Sequence, residues 1–344
     1  MKIFVGKLRS AVIGCGRIGC EFDGSILGKD IRTHAKSYFK YSKTDLIALC
    51  DIDSKKLKKY GTKFKVKGLY KTSLKMFQSK QIDCVSICTH LDSHLELVKQ
   101  ACSFGVKGIF IEKPLSYDLI SAKKIIDICK KSNTILLVDH QRRFNPLYHS
   151  IKKIIRQNEI GKIYFVNIYY GSGIANTGSH VFDLLRFLFG EIHSLKSTYA
   201  QILPSNQLDP NLDVKITFKN NLIAFMKALN TNQYGIFEID IIGDKGRIKL
   251  DYSQNKVQLL RPKKGLVYNK LITTNLKEKN GPNLGPYLGV QNLVECILYG
   301  KKPLCSGQDG YKALELITAS ILSAKRRKEI LLPLKLKNFK IHSK

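Results

Sequence analysis

The first residues in the chain whose types and spacing could do chemistry are glycines. Gly14-Cys-Gly-Arg-Ile-Gly19 directly follows the apolar run Ala11-Val-Ile13. In that position a GxGxxG lets the chain leave a strand in a tight turn while backbone N–H groups approach a pyrophosphate. The acidic partner of such a turn is Asp51 in Leu49-Cys-Asp51-Ile-Asp53. A carboxylate there can accept both ribose hydroxyls and repel a 2′-phosphate, so it argues for NAD over NADP. Asp51 lies 32 residues beyond Gly19, against a usual spacing of roughly 20. The surplus falls in residues 20–32, with Asp23, Gly24 and Gly28, and reads as an inserted loop beside the phosphate turn and a candidate lid.

More polar residues follow other apolar runs. Thr89-His90 closes 84–88, Glu112-Lys113 closes 108–111, and Asp139-His140-Gln141-Arg142-Arg143 closes 135–138. In an open parallel sheet ligands bind at the carboxyl ends of strands, so these residues are expected on one edge. Lys113 is the sharpest of them. Pro114 excludes it from the helical region and holds it extended, and a lysine fixed beside a nicotinamide can hydrogen-bond a reacting oxygen.

The elements that must position these groups are legible as texture. Up to about residue 140, near-continuous hydrophobic runs at 11–13, 46–50, 84–88, 108–111 and 135–138 alternate with helical spacing, which predicts a doubly wound α/β half with a parallel sheet buried on both faces. From about 160 the pattern becomes hairpin-like strands at 163–170, 214–218, 222–229, 237–242 and 247–250, the last two joined by a turn at 243–246. Helices are expected at 179–189 and near 287–299 and 308–327. This predicts an α+β second domain with a largely antiparallel sheet. The expected domains are 1–143 and 144–344, with a hinge around Arg143 to Pro146 and the active site between the halves.

Charge is the outlier of the composition. The 344 residues carry 58 Lys plus Arg against 27 acidic residues, a net +31, which raises nucleic-acid or membrane binding. The cations are 47 Lys and only 11 Arg, whereas base and phosphate recognition favours Arg. The densest stretch, eight Lys from Lys55 to Lys71, is interleaved with Leu57, Tyr60, Phe64 and Val66, as a solvated helix face followed by an edge strand would be. No aromatic-basic platform accompanies the charge, so no nucleic-acid partner is expected. Neither a signal peptide nor an apolar span of 18 residues is found, so no membrane partner is expected. Nine cysteines read as reduced and the chain as cytoplasmic. The spacing Cys84, Cys88, His90, His94 imitates a metal site, but Cys84-Val-Ser-Ile-Cys88 alternates as a core strand, and no metal is expected.

Taken together, Gly14 to Gly19, Ile87-Cys-Thr89, Glu112-Lys113-Pro114-Leu115, Arg142-Arg143-Phe144-Asn145-Pro146 and Gly178-Ser-His180-Val-Phe-Asp183-Leu-Leu-Arg186 resemble the Gfo/Idh/MocA family of nicotinamide-dependent sugar and inositol oxidoreductases. The resemblance runs in order along nearly the whole chain. It implies a Rossmann domain and an α+β domain whose open sheet roofs the substrate site and often makes the subunit interface, hence a homodimer or homotetramer. It places Gly14, Gly16, Arg17, Ile18, Gly19, Asp51, Thr89, His90, His94, Glu112 and Lys113 at the cofactor, and allows a cis Lys113–Pro114 bond. Lys113 touches the reacting hydroxyl, His180 matches the acid/base histidine, and Asp183, with Arg143 and Asn176, faces a small-molecule sugar substrate.

His180 and Asp183 stand three apart on the first turn of a helix whose other face, Leu184, Leu185, Leu188 and Phe189, is apolar, so they are expected to project together. A capping or packed histidine is the competing reading of His180 alone. Many members carry Asp where this chain has Asn176; an amide can orient an imidazole without stabilising its cation. The implied reaction is hydride transfer between a sugar carbon and C4 of NAD, with His180 taking the hydroxyl proton and Lys113 steadying the alkoxide. The wording of Asn176-Thr-Gly-Ser-His180 is similar to members acting on nucleotide-linked or amino sugars of bacterial surface-glycan pathways. The alternatives are an inositol or free-sugar dehydrogenase, and a non-catalytic NAD-binding regulator of the same fold.

Overall fold

A strand apolar on both faces is stable only inside a sheet covered on both sides, and the first half of the chain builds one. The computed structural model describes residues 6–201, 208–251, 256–265, 268–275 and 284–342. Strands β1 (Leu8–Ile13), β2 (Thr44–Cys50), β3 (Gly68–Tyr70), β4 (Cys84–Ile87), β5 (Gly108–Ile111) and β6 (Ile135–Val138) pair in parallel in the order β3-β2-β1-β4-β5-β6. This is the doubly wound dinucleotide order. All residues of β4 and β5 are buried.

The crossovers are α1 (His34–Lys40), α2 (Ser54–Phe64), α3 (Ser73–Ser79), α4 (Leu91–Ser103) and α5 (Leu119–Lys131). Side chains of Thr33, Asp53, Thr72 and Asp118 accept N–H bonds from the first turns of α1, α2, α3 and α5. Each such cap contributes about 1 kcal/mol. The lysine-rich stretch behaves as expected: α2 buries Leu57, Tyr60 and Phe64 and leaves Lys55, Lys58 and Lys59 in solvent, while β3 is the sheet edge.

The second half starts with α6 (Pro146–Arg156), whose cap is Asn145, followed by β7 (Ile163–Tyr170), α7 (Gly178–Phe189), β8 (Ile192–Tyr199), β9 (Leu212–Phe218), β10 (Ile223–Ala228), β11 (Phe237–Gly243), β12 (Arg247–Asp251), β13 (Lys256–Lys263) and β14 (Lys270–Asn275). Helices α8 (Tyr287–Tyr299) and α9 (Gly307–Arg326) and the short β15 (Ile330–Leu331) close the chain. Among the described residues, this sheet has nine strands in the order β14-β13-β12-β11-β7-β10-β9-β8-β15. Every pair is antiparallel except β7 with β10. Burial along β9 and β10 alternates, so one face carries the core.

Internal contacts divide the chain into two units, Met1–Phe144 with Pro282–Tyr311, and Asn145–Gly281 with Lys312–Lys344. The chain first passes from one unit to the other between Phe144 and Asn145. The expectation of two continuous segments does not describe the rest, because α8 returns to the first unit. There Gly289 lies so close to Phe110 that an added Cβ would stand 2.3 Å from its ring, and a Cβ on Gly108 would meet Ile297 at 2.7 Å. Beyond α8, Leu137 forms a β-bridge with Ser306, and the Val138 N–H donates to the Cys305 carbonyl at 3.1 Å. Apolar cover for β5 and β6 is thus drawn from a segment roughly 170 to 190 residues further along the chain, which hydrophobic periodicity cannot reveal.

All nine cysteines are free thiols, and all but Cys88 are buried. Cys84 sits within β4, His90 is exposed and His94 is buried, so the metal-like spacing is dispersed over a core strand and a helix. No helix among the described residues is long and apolar enough to cross a membrane.

Candidate active site

Each glycine of the phosphate turn has a different neighbour. Gly14 has φ +94°, donates to the Cys50 carbonyl at 2.8 Å, and would place a Cβ 2.6 Å from the Cys88 carbonyl oxygen. A Cβ on Gly19 would overlap the Gly14 carbonyl at 1.9 Å. Gly16 is different: the nearest atom to its Cβ position is Lys56 Nζ at 4.0 Å. Two glycines therefore close the turn and the middle one leaves the backbone open, the division of labour a pyrophosphate cradle requires. The chain continues as a π-helical turn, Arg17–Glu21, with Arg17 exposed and Ile18 half-buried. Asp51, at the end of β2, accepts the Cys15 N–H at 2.6 Å and the Asp53 N–H at 2.8 Å, which locks its carboxylate beside the turn with lone pairs left for ribose hydroxyls. These residues fit NAD.

The inserted segment is fastened rather than loose. Asp23 accepts from the Arg32 N–H at 2.8 Å and from the Thr33 hydroxyl. The ammonium of Lys36, itself buried, donates to the carbonyls of Ser25, Gly28 and Asp30 at 2.8, 3.0 and 2.6 Å, and Lys63 donates to the Asp23 carbonyl at 2.7 Å. Backbone carbonyls that would otherwise need water are satisfied by two lysines from α1 and α2. This is a stapled loop, and a lid that opens would have to break those bonds.

At the end of β4, Thr89 shares a 2.7 Å hydrogen bond with Ser93. His94, expected at the cofactor, is fully buried, with Nδ1 3.1 Å from the Leu115 carbonyl and Nε2 3.2 Å from that of Thr89. Burial lowers its pKa and outweighs these carbonyls, so it stays neutral and ties the β4 end to the segment after Pro114. Its position near a strand end suggests a ligand contact, but its bonds serve the backbone. Arg143, expected at the substrate, is also buried and pairs with Asp309 at 3.1 Å within the same unit. His140 beside it is held neutral, its pKa lowered to about 3 by burial and then by Arg143 and Lys113.

Glu112 and Lys113 follow β5, both half-buried, and the Lys113–Pro114 bond is cis. Behind them lies His34, the first residue of α1. Its Nε2 is 2.9 Å from Glu112 Oε1 and 3.3 Å from Asp139 Oδ2, and Nδ1 is 2.8 Å from Ser86 Oγ. These are the donor atoms among the described residues close enough to suggest a metal; the 2.9 Å separation is that of a charge-assisted hydrogen bond. Burial alone would lower the His34 pKa, but Cys88, Asp139 and Glu112 around the ring reverse this and raise it well above the ordinary value. Burial and the Glu112 charge push Asp139 up to about 7, whereas His34 and Lys113 overcome burial to bring Glu112 below its usual range. His34 is absent from the site expected from sequence. The one signal was Thr33-His34-Ala35, a cap followed by a histidine facing inward from α1.

In the second unit, a π-helical turn at Gly173–Thr177 leads into α7. Asp209 anchors the turn by accepting the N–H groups of Ala175 and Asn176 at 2.7 and 2.9 Å, a contact no sequence pattern announced. The Ser179 hydroxyl donates to the Asn176 carbonyl at 2.7 Å. His180 is half-buried and Asp183 fully buried, so the two share the first turns of α7 but differ in their access to solvent.

Both halves match one family: residues 8–140 its NAD-binding Rossmann domain and residues 170–332 its C-terminal alpha/beta domain. The chain belongs to the Gfo/Idh/MocA oxidoreductase family. It is an enzyme of that class with an NAD-binding domain. Relatives include a D-apiose dehydrogenase of Paraburkholderia graminis, 22% identical with 95% of this chain and 90% of that protein covered. A myo-inositol 2-dehydrogenase of Thermotoga maritima is 25% identical, with 94% and 98% covered. Among solved structures, the WlbA dehydrogenase of Bordetella pertussis in complex with NADH and UDP-GlcNAcA is 21% identical over 96% of this chain and all of that one, with a TM-score of 0.76. At that identity the likeness concerns the fold.

Proposed function

We propose that this member of the family moves hydride between NAD and a hydroxyl-bearing carbon of a sugar derivative, and that the substrate is a nucleotide-linked or amino sugar. The observation that carries the reading is the single parallel-sheet edge that presents an open Gly16 after β1, a fixed Asp51 carboxylate after β2 and Lys113 after β5. NAD, when bound, supplies the hydride acceptor. The backbone of Gly14 to Gly19 binds its pyrophosphate, Asp51 its ribose, and Thr89, Glu112 and Lys113 line its reactive end.

Lys113 donates a hydrogen bond to the reacting oxygen and steadies the charge that grows on it. His180, half-buried at the start of α7, takes the hydroxyl proton during oxidation. Asn176 orients the histidine without adding charge, and Asp183 accepts from substrate hydroxyls. Three things support the substrate class: the wording of residues 176–180, the WlbA relative, and a net +31 that raises encounter rates with phosphate-bearing sugars. The test is a panel of nucleotide-sugars, amino sugars, inositols and free sugars read by absorbance of reduced nicotinamide. Lys113→Ala and His180→Ala are each expected to lower turnover on the accepted sugar by at least about 100-fold. Near wild-type turnover at saturating NAD in either variant would remove that residue from its role.

A further inference from the structure

The buried charge behind Lys113 exceeds what cofactor binding needs. His34 is fully enclosed, its ring 4.8 Å from that of Phe110 and its two nitrogens facing acceptors on three strand ends. The Ser86 hydroxyl on β4 is donated to Tyr38 at 3.1 Å, which leaves its oxygen to accept from His34 Nδ1. Carboxylates that follow β5 and β6 face Nε2. With both nitrogens donating, the ring is an imidazolium. Cys88 beside the ring, and Tyr38 through Ser86, are the other titratable groups here.

Asp139 is fully buried, its Oδ1 has no hydrogen-bond partner among the described residues and its Oδ2 faces the nearby cation, which offsets part of the cost of burying the ionised form. Glu112 alone of the three reaches the surface, with a side chain 13% exposed. It is also the residue covalently next to Lys113, whose charge it feels.

We propose that His34 is a positioning residue: a buried imidazolium, braced by Ser86 and Asp139, that fixes the Glu112 carboxylate, through which it sets the place and charge of the Lys113 ammonium. The inference rests on the role given to Lys113 above. It also gives the insertion a mechanical address. Thr33 and Lys36, which staple residues 23–30, flank His34 on the same helical turn.

The test uses His34→Ala, His34→Gln and Glu112→Gln in the full chain. It has three readouts: NADH affinity by fluorescence, turnover on the accepted sugar, and the rate at which Lys113 is acylated by a limiting anhydride, read by mass spectrometry. The expected result is a loss of about 10- to 100-fold in turnover for His34→Ala with NADH affinity held within about twofold. Acylation of Lys113 should quicken severalfold in His34→Ala and Glu112→Gln, because a displaced or neutral Glu112 no longer favours the ammonium. His34→Gln, which keeps a donor toward Glu112, should recover part of both. Wild-type turnover and acylation in His34→Ala overturn the proposal, and so does a loss of NADH affinity in step with turnover. Should His34→Ala fail to fold, unchanged Lys113 acylation in Glu112→Gln overturns it as well. Because acylation needs no substrate, it judges this link even if Lys113→Ala retains turnover and the functional reading falls.

Discussion

His34 and His94 occupy the same unit, are equally inaccessible to water, and each present both ring nitrogens to oxygen acceptors, yet one is a cation and the other neutral. Around His34 the oxygens belong to carboxyl groups and a hydroxyl; around His94 they belong to two backbone carbonyls. Desolvation opposes the cation in both places. Only full charges at about 3 Å are strong enough to reverse it. Burial therefore does not decide a histidine's state. What ends the strand opposite it does, which is why one histidine supports charge near Lys113 and the other is a neutral clamp on Thr89 and Leu115.

The largest expected difference is in stability. His34→Leu leaves Glu112 and Asp139 without their cation and should cost about 3–5 kcal/mol in urea unfolding, whereas His94→Leu gives up one hydrogen bond and should cost about 1–3 kcal/mol. Equal losses would break the comparison. Adding Asp139→Asn to His34→Leu removes the stranded acid, so the double variant should be more stable than the sum of the singles by about 0.5–3 kcal/mol.

The smallest effect is a pH slope. His94, lowered in the fold, takes up its proton on unfolding, so its contribution is lost as pH falls below the unfolded value of about 6.5. Asp139, raised to about 7, does the reverse: its contribution is full below the unfolded carboxyl range and fades as pH climbs towards 7. Between pH 5 and 6.5, His94→Gln should flatten the acid loss of stability and Asp139→Asn should steepen it, each by at most about 1.4 kcal/mol per pH unit. Identical slopes in the two variants would show that the two pockets do not differ as described.

Much of this architecture is legible in the amino-acid sequence. β5 and β6 coincide with the apolar runs because Gly-Ile-Phe-Ile and Ile-Leu-Leu-Val are short, rich in β-branched or aromatic side chains and bounded by polar residues, which suits a strand covered on both faces. β3, although only three residues long, is the edge strand expected after the lysine-rich helix face, whereas α6 falls outside the helices expected from sequence although Asn145-Pro146 is a helix-start signature. β8, Ile-His-Ser-Leu-Lys-Ser-Thr-Tyr, is too polar to stand out from a loop. At the site, Gly14, Asp51 and Lys113 were legible because each occupies a strand end, and strand ends of a parallel sheet share an edge. His34 was not, since its partners come from β4, β5 and β6 and meet only when those strands are adjacent. His94 and Arg143 show the converse: a polar residue close to the site in sequence can have its hydrogen bonds claimed by backbone or by another side chain.

The return of residues 282–311 to the first unit also orders events during synthesis. A ribosome that has released Phe144 has delivered every strand of the parallel sheet but not the helix that covers Gly108 and Phe110, nor the segment that bridges Leu137. At roughly 5–20 residues per second, that apolar surface waits on the order of ten seconds or more for its cover. The dinucleotide-binding unit, first to begin, is completed only after the whole inserted stretch of the second unit has emerged.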